Sequence, residues 1–120
     1  MITHKNAELL AEIKRWANTD LRFAFDDPKL EHIIKQKTKI LKENGINRGY
    51  FYVLIGFDTT REEDIRRIKI LDDLGHRIYI MPYNKKDTYQ KLMIKYVNQF
   101  FYRKMTFDYF KNKYYPDWVL

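Results

Sequence analysis

Twice in succession the sequence runs through the same order, with a period of roughly thirty residues: a short apolar run, a helix-capping residue, an amphipathic stretch and a closing glycine. In the first unit Leu21-Arg22-Phe23-Ala24-Phe25 reads as a strand. Asp27 is placed to cap a helix with Pro28 at its first position, Leu30, Ile33, Ile34 and Leu41 form the buried stripe, and Gly45 ends it. In the second, Tyr50-Phe51-Tyr52-Val53-Leu54-Ile55 is a continuous β-rich run of the kind expected for a strand covered on both faces. Thr60 and Glu63 then make a capping box ahead of Ile65, Ile68, Leu71 and Leu74, and Gly75 closes that helix. A third strand, Arg77-Ile78-Tyr79-Ile80-Met81, leads to a long helix marked by Leu92, Met93, Tyr96, Val97 and Phe100. Thr106 caps a last short helix around Phe107 and Phe110, and Leu9, Leu10, Ile13, Trp16 and Ala17 define a helix over 4–18.

Strands alternating with helices through short turns predict an α/β fold of three parallel βαβ units with right-handed crossovers. The strands, near 21–25, 50–55 and 78–81, are expected side by side in chain order. A closed (β/α)8 barrel takes about 250 residues, so 120 residues make either a small open sheet or part of a larger barrel. One sheet edge is then expected to look unfinished. No linker or composition break separates a second domain within 1–112, and 113–120 reads as a tail.

Four Gly, three Pro and 45% hydrophobic residues are incompatible with a disordered or collagen-like chain. The absence of cysteine excludes a disulfide framework, a thiol nucleophile and any iron–sulfur cluster held by this chain alone. No apolar run approaches the ~18 residues of a membrane span, and the start lacks the apolar segment of a signal peptide, so a cytoplasmic protein with no membrane partner is expected. The net charge of +7 is unevenly spread. Residues 85–113 hold eight basic and two acidic groups, with Lys91, Lys95, Arg103 and Lys104 interleaved with aromatic rings, which keeps nucleic acid in play as a partner.

Ligands of parallel sheets gather at the carboxyl ends of the strands. Asp26 and Asp27, the turn from Gly56 to Thr60, and Pro82-Tyr83-Asn84 occupy those places. Capping accounts for Asp27, Thr60 and Glu63, and turn chemistry for Asp58. Asp26, which can accept from a ribose hydroxyl, Gly56, beside which a ligand can approach the backbone, and Asn84, both donor and acceptor, are the candidates left. There is no GxGxxG, no P-loop and no HExxH, and His4, His32 and His76 are isolated residues expected on helix or turn surfaces rather than on a metal.

Three stretches, Phe23-Ala24-Phe25-Asp26, the run from Tyr52 through Gly56 and Thr59 to Asp64, and Tyr79-Ile80-Met81-Pro82-Tyr83-Asn84, together resemble the C-terminal half of a radical S-adenosylmethionine (radical SAM) domain. Lys95-Tyr96-Val97-Asn98 is similar to the helix that follows the last strand in one bacterial group, and the likeness spans about residues 3–110. The resemblance implies a partial, TIM-like (β/α) barrel of six strands, of which this chain would hold strands four to six with extra C-terminal helices. It implies S-adenosylmethionine and a [4Fe–4S] cluster for the intact family. The cluster's three cysteines follow the first strand in that family and are absent here. Asp26 would face the ribose or methionine part of the cofactor, Gly56 would be the second glycine of the family's Gly-x-Ile-x-Gly-x-x-Glu strand, and Met81, Pro82, Tyr83 and Asn84 would lie beside the adenine. Tyr52, Leu54 and Thr59 depart from that motif at its first glycine, isoleucine and glutamate.

The implied protein is a truncated or split radical SAM chain, not expected to catalyse alone and requiring a missing N-terminal half or partner chain. The rival expectation is a small basic α/β module that binds RNA or a protein through residues 85–113. Helical spacing instead scatters the cations of that segment around a polar face, so that any RNA binding would be weak and non-specific.

Overall fold

The computed structural model describes residues 22–120, so the helix predicted over 4–18, His4 and Leu21 lie outside the described residues. Strands β1 (Arg22–Ala24), β2 (Tyr50–Ile55) and β3 (Arg77–Pro82) pair in parallel and in chain order, with Ala24 beside Tyr52 and Tyr52 beside Tyr79. Between and after them run helices α1 (Glu31–Glu43), α2 (Arg61–Asp73), α3 (Thr88–Asn98) and α4 (Phe107–Tyr114). The predicted α/β class, the three parallel strands and their order are all present.

Local hydrogen bonding sets most element ends where the sequence signals stand. Thr60 and Glu63 form the reciprocal capping box of α2, and Thr106 caps α4. Gly45 and Gly75 have φ of 82° and 83°, and each starts a Schellman turn: Gly45 N–H donates to Lys42 O and Ile46 N–H to Leu41 O, while Gly75 and His76 repeat the pattern on Asp72 and Leu71. Asp27 accepts from Lys29 N–H and Pro28 follows it, but they open a single 3-10 turn, Pro28–Leu30, and α1 begins at Glu31.

One core joins Phe51, Val53 and Ile55 of β2 and Ile78 and Ile80 of β3 to Ile34 of α1, Leu71 of α2 and Leu92, Met93 and Val97 of α3. These helices therefore cover one face of the sheet, as two crossovers of the same hand require. Among the described residues β2 is fully covered on one face only, where its apolar run predicts cover on both. Phe51, Val53 and Ile55 are buried, whereas Tyr50, Tyr52 and Leu54 are half-buried on the opposite face, beside exposed Ala24, Tyr79 and Met81. Aromatic rings span both worlds there: Tyr52 packs edge-on against Tyr79 and its hydroxyl accepts from Arg22 Nη1 at 3.0 Å.

The long third helix also ends earlier than its apolar spacing predicts. Phe100, expected on the buried stripe, takes φ 66° and is 44% exposed, so α3 stops at Asn98. The predicted tail is partly structured, since α4 runs to Tyr114 and Tyr115 and Trp118 pack on the core with their rings 4.6 Å apart.

The two sheet edges differ. Arg77 donates to Gly49 O just before β2 and Tyr83 to Ile55 O at its end, so alternation turns the backbone groups of Ile78, Ile80 and Pro82 toward the free edge. Ile80 N–H is taken by Asn98 Oδ1 at 2.9 Å, and Pro82 has no N–H. On β1, Phe25 donates to Tyr52 O, which turns the backbone of Arg22 and Ala24 outward. Both residues are exposed, and among the described residues no strand pairs with β1 on the side away from β2.

Candidate functional site

The carboxyl ends of β1 and β2 are joined by side chains. Where β1 turns away after Phe25, the next rung of the ladder would run from Leu54 N–H to Phe25 O. Instead Leu54 N–H donates to Asp26 Oδ1 at 3.3 Å, while Arg67 of α2 donates from Nη1 to Phe25 O at 2.8 Å and from Nη2 to Leu54 O at 2.9 Å. Arg67 and Asp64 are 1% and 0% exposed, and the guanidinium donates to Asp64 Oδ1 at 2.6 Å. The carboxylate also accepts from Thr59 Oγ1 at 2.7 Å and from the Tyr89 hydroxyl at 2.8 Å. Burial, then the adjacent Asp64 charge, pushes the Tyr89 phenol far above its ordinary value, so it stays a donor. This buried pair was not among the predicted site residues. Its signal was in the spacing: 64, 67, 68 and 71 follow the i, i+3, i+4, i+7 rule, which sets Asp64 and Arg67 on the same stripe as Ile68 and Leu71.

Above this network the turn from Gly56 to Thr60 separates two depressions. The smaller, of about 360 Å³, lies against Asp26, Leu54 and Phe57. The larger, of about 560 Å³, is bounded by Gly56, Arg61, Tyr83, Asn84 and Gln90. Phe57 and Tyr83, both more than half exposed, stack with centroids 4.9 Å apart across the ridge. The predicted residues are thus divided. Asp26 is on one side, Gly56, Tyr83 and Asn84 are on the other, Pro82 ends β3, and Met81 sits on the open sheet face. Asn84 is held by turn bonds, its Oδ1 accepting from Lys86 N–H and its own N–H donating to Gln90 Oε1 at 2.8 Å. Gly56 has φ 78°, and a Cβ there would overlap the Gln90 carboxamide, so the space beside its backbone is filled by Gln90.

At the opposite, amino ends of the strands, His76 is buried rather than at the surface. Its Nδ1 accepts from Gly49 N–H at 2.9 Å, so the ring proton is on Nε2, which donates to Thr38 Oγ1 at 2.8 Å; Thr38 in turn donates to Ile34 O. Burial lowers its pKa to about 4, and the ring is neutral. His32 is exposed. Among the described residues no three His, Asp or Glu side chains gather as a metal site, and no helix is long and apolar enough to cross a membrane.

The basic segment is partly engaged. The Lys95 ammonium lies 5.9 Å from the Tyr115 ring centre, and Arg103 stands 3.8 Å from Asp72 and over the Phe100 ring. Lys91 and Lys104 are exposed, while Met93, Tyr96 and Val97 of α3 are buried. No protein-family model, no curated protein and no solved structure matches this chain.

Proposed function

We propose that this chain is the closing three-stranded sector of a radical SAM-type partial (β/α) barrel, carrying part of the S-adenosylmethionine pocket and drawing its remaining strands from outside these residues. The asymmetry of the sheet edges carries the reading. A last strand needs a finished edge and a fourth strand an open one; Asn98 and Pro82 cap β3, while among the described residues nothing pairs with the outer edge of β1 at Arg22 and Ala24. The helix layer on one face, with Tyr52, Tyr79 and Met81 on the other, supports it further, since a barrel wall keeps helices outside and side chains toward its lumen.

The chain's own residues do not fit the family's cluster, because no thiolate is present to hold iron. Toward S-adenosylmethionine they supply the Asp26 carboxylate as an acceptor and the Met81–Asn84 backbone beside a flat ring. Half a pocket without the cluster lacks the enclosure that tight small-ligand sites require. The test is a titration of the isotopically labelled chain with S-adenosylmethionine, read by NMR. Weak, saturable shifts confined to Asp26, Gly56 and Met81–Asn84 are expected, and no shift at those positions would overturn the reading. The rival nucleic-acid reading draws less support, because Lys95 and Arg103 are held against Tyr115 and Asp72.

A further inference from the structure

The larger depression lies where two helices begin. Thr60 and Arg61 open α2, and Asp87, Thr88, Tyr89 and Gln90 open α3. The caps satisfy Glu63 N–H and Gln90 N–H, which leaves the first N–H groups of each helix without an intrahelical acceptor, at the positive end of its dipole. A helix start alone is not a site. The side chain of Gln90 supplies the second observation. It is only 5% exposed, and its orientation is fixed because Oε1 must accept from Asn84 N–H. Nε2 therefore carries two donors, lies against the α-carbon of Gly56 on the wall of the depression, and has no hydrogen-bond partner among the described residues. These donors open onto the depression, free for an acceptor that enters it.

Arg61 adds the charge. Its guanidinium is held 5.6 Å from the ring centres of both Tyr89 and Phe107; it pairs with Asp108, 3.8 Å away and 83% exposed, while Asp87, which also lines the depression, accepts from Gln90 N–H. A planar cation kept in place by two rings, an oriented amide donor and two helix starts have one complement in common, an oxygen-rich anion. We infer that this depression is an oxyanion site, which takes the phosphate or carboxylate group of a small ligand through Gln90 Nε2 and Arg61. The inference stands apart from the barrel reading, because every group belongs to this chain and none requires a cluster or further strands.

The experiment is a titration of the labelled chain with inorganic phosphate and, separately, with acetate, at ionic strength matched by potassium chloride, following the Gln90 side-chain amide and Arg61 Nε by NMR. Saturable shifts of both with at least one anion and none with chloride are expected; a preference between the two anions identifies the source of the oxyanion. Arg61→Gln is expected to weaken binding about tenfold, the effect of losing one charge-assisted hydrogen bond. Gln90→Glu keeps the acceptor for Asn84 and puts a carboxylate in place of the donors, and is expected to abolish binding. If Gln90→Glu fails to fold, Arg61→Gln carries the test alone. Failure of both anions to move Gln90 and Arg61, or an unchanged affinity in Arg61→Gln, overturns the inference.

Discussion

Both ends of the parallel sheet bury polar side chains, but they do so in opposite ways. At the carboxyl ends an ion pair, Asp64 with Arg67, is met by oriented partners on every side but Arg67 Nε. At the amino ends His76 is kept neutral, its two nitrogens used once each by Gly49 and Thr38. The first arrangement is strong while it is complete and intolerant of any single loss. The second is cheap to build and sensitive to protons.

The largest effect that would break this contrast is expected from Arg67→Ala, which strands the Asp64 carboxylate in the core and leaves Phe25 O and Leu54 O without donors. A loss of about 3–5 kcal/mol is expected from urea denaturation; a loss below 1 kcal/mol would show the pair to be dispensable. Next is acid. The pKa of His76 is near 4 when folded and about 6.5 when unfolded, so the unfolded chain binds more protons between those values. Stability contributed by the neutral ring is present above about pH 6.5 and is lost as pH falls toward 4, by roughly 2–3 kcal/mol. His76→Phe should flatten that part of the pH profile, while lowering stability near neutral pH because Gly49 N–H is left without an acceptor. A profile equally steep in wild type and variant would exclude His76 as the cause. The smallest expected effect is at the closed edge. Asn98→Ala frees Ile80 N–H, at a cost of about 1 kcal/mol, and raises self-association measured by sedimentation if the edge needs that cap.

Elements whose ends are made by near neighbours were legible in the sequence. The caps at Thr60 and Thr106 and the turns at Gly45 and Gly75 each join residues three to five apart. What depends on distant partners was not. His76 follows a helix-closing glycine, which by itself indicates a surface turn; the ring is satisfied in the interior because Gly49 N–H donates to it and Thr38 Oγ1 accepts from it, both far away in sequence. Phe100 fits the apolar stripe of α3, yet the left-handed turn there releases it. At the candidate site, Asp26 and Gly56 were the residues that local capping and turn chemistry left without an account. Their partners, Leu54 N–H for the one and the Gln90 carboxamide for the other, come from different elements and could be seen only once the chain was folded.

Because Arg67 bonds Phe25 O and Leu54 O together, it also measures how the two strands are aligned along their length. Sliding β1 by one residue would turn the Phe25 carbonyl to the far side of the strand and bring its neighbour's side chain into the core. The guanidinium would then face no acceptor on β1. Three residues of backbone pairing are too few to resist such a slip unaided, so a single arginine on the next helix acts as the gauge that admits one stagger of β1 and rejects its neighbours.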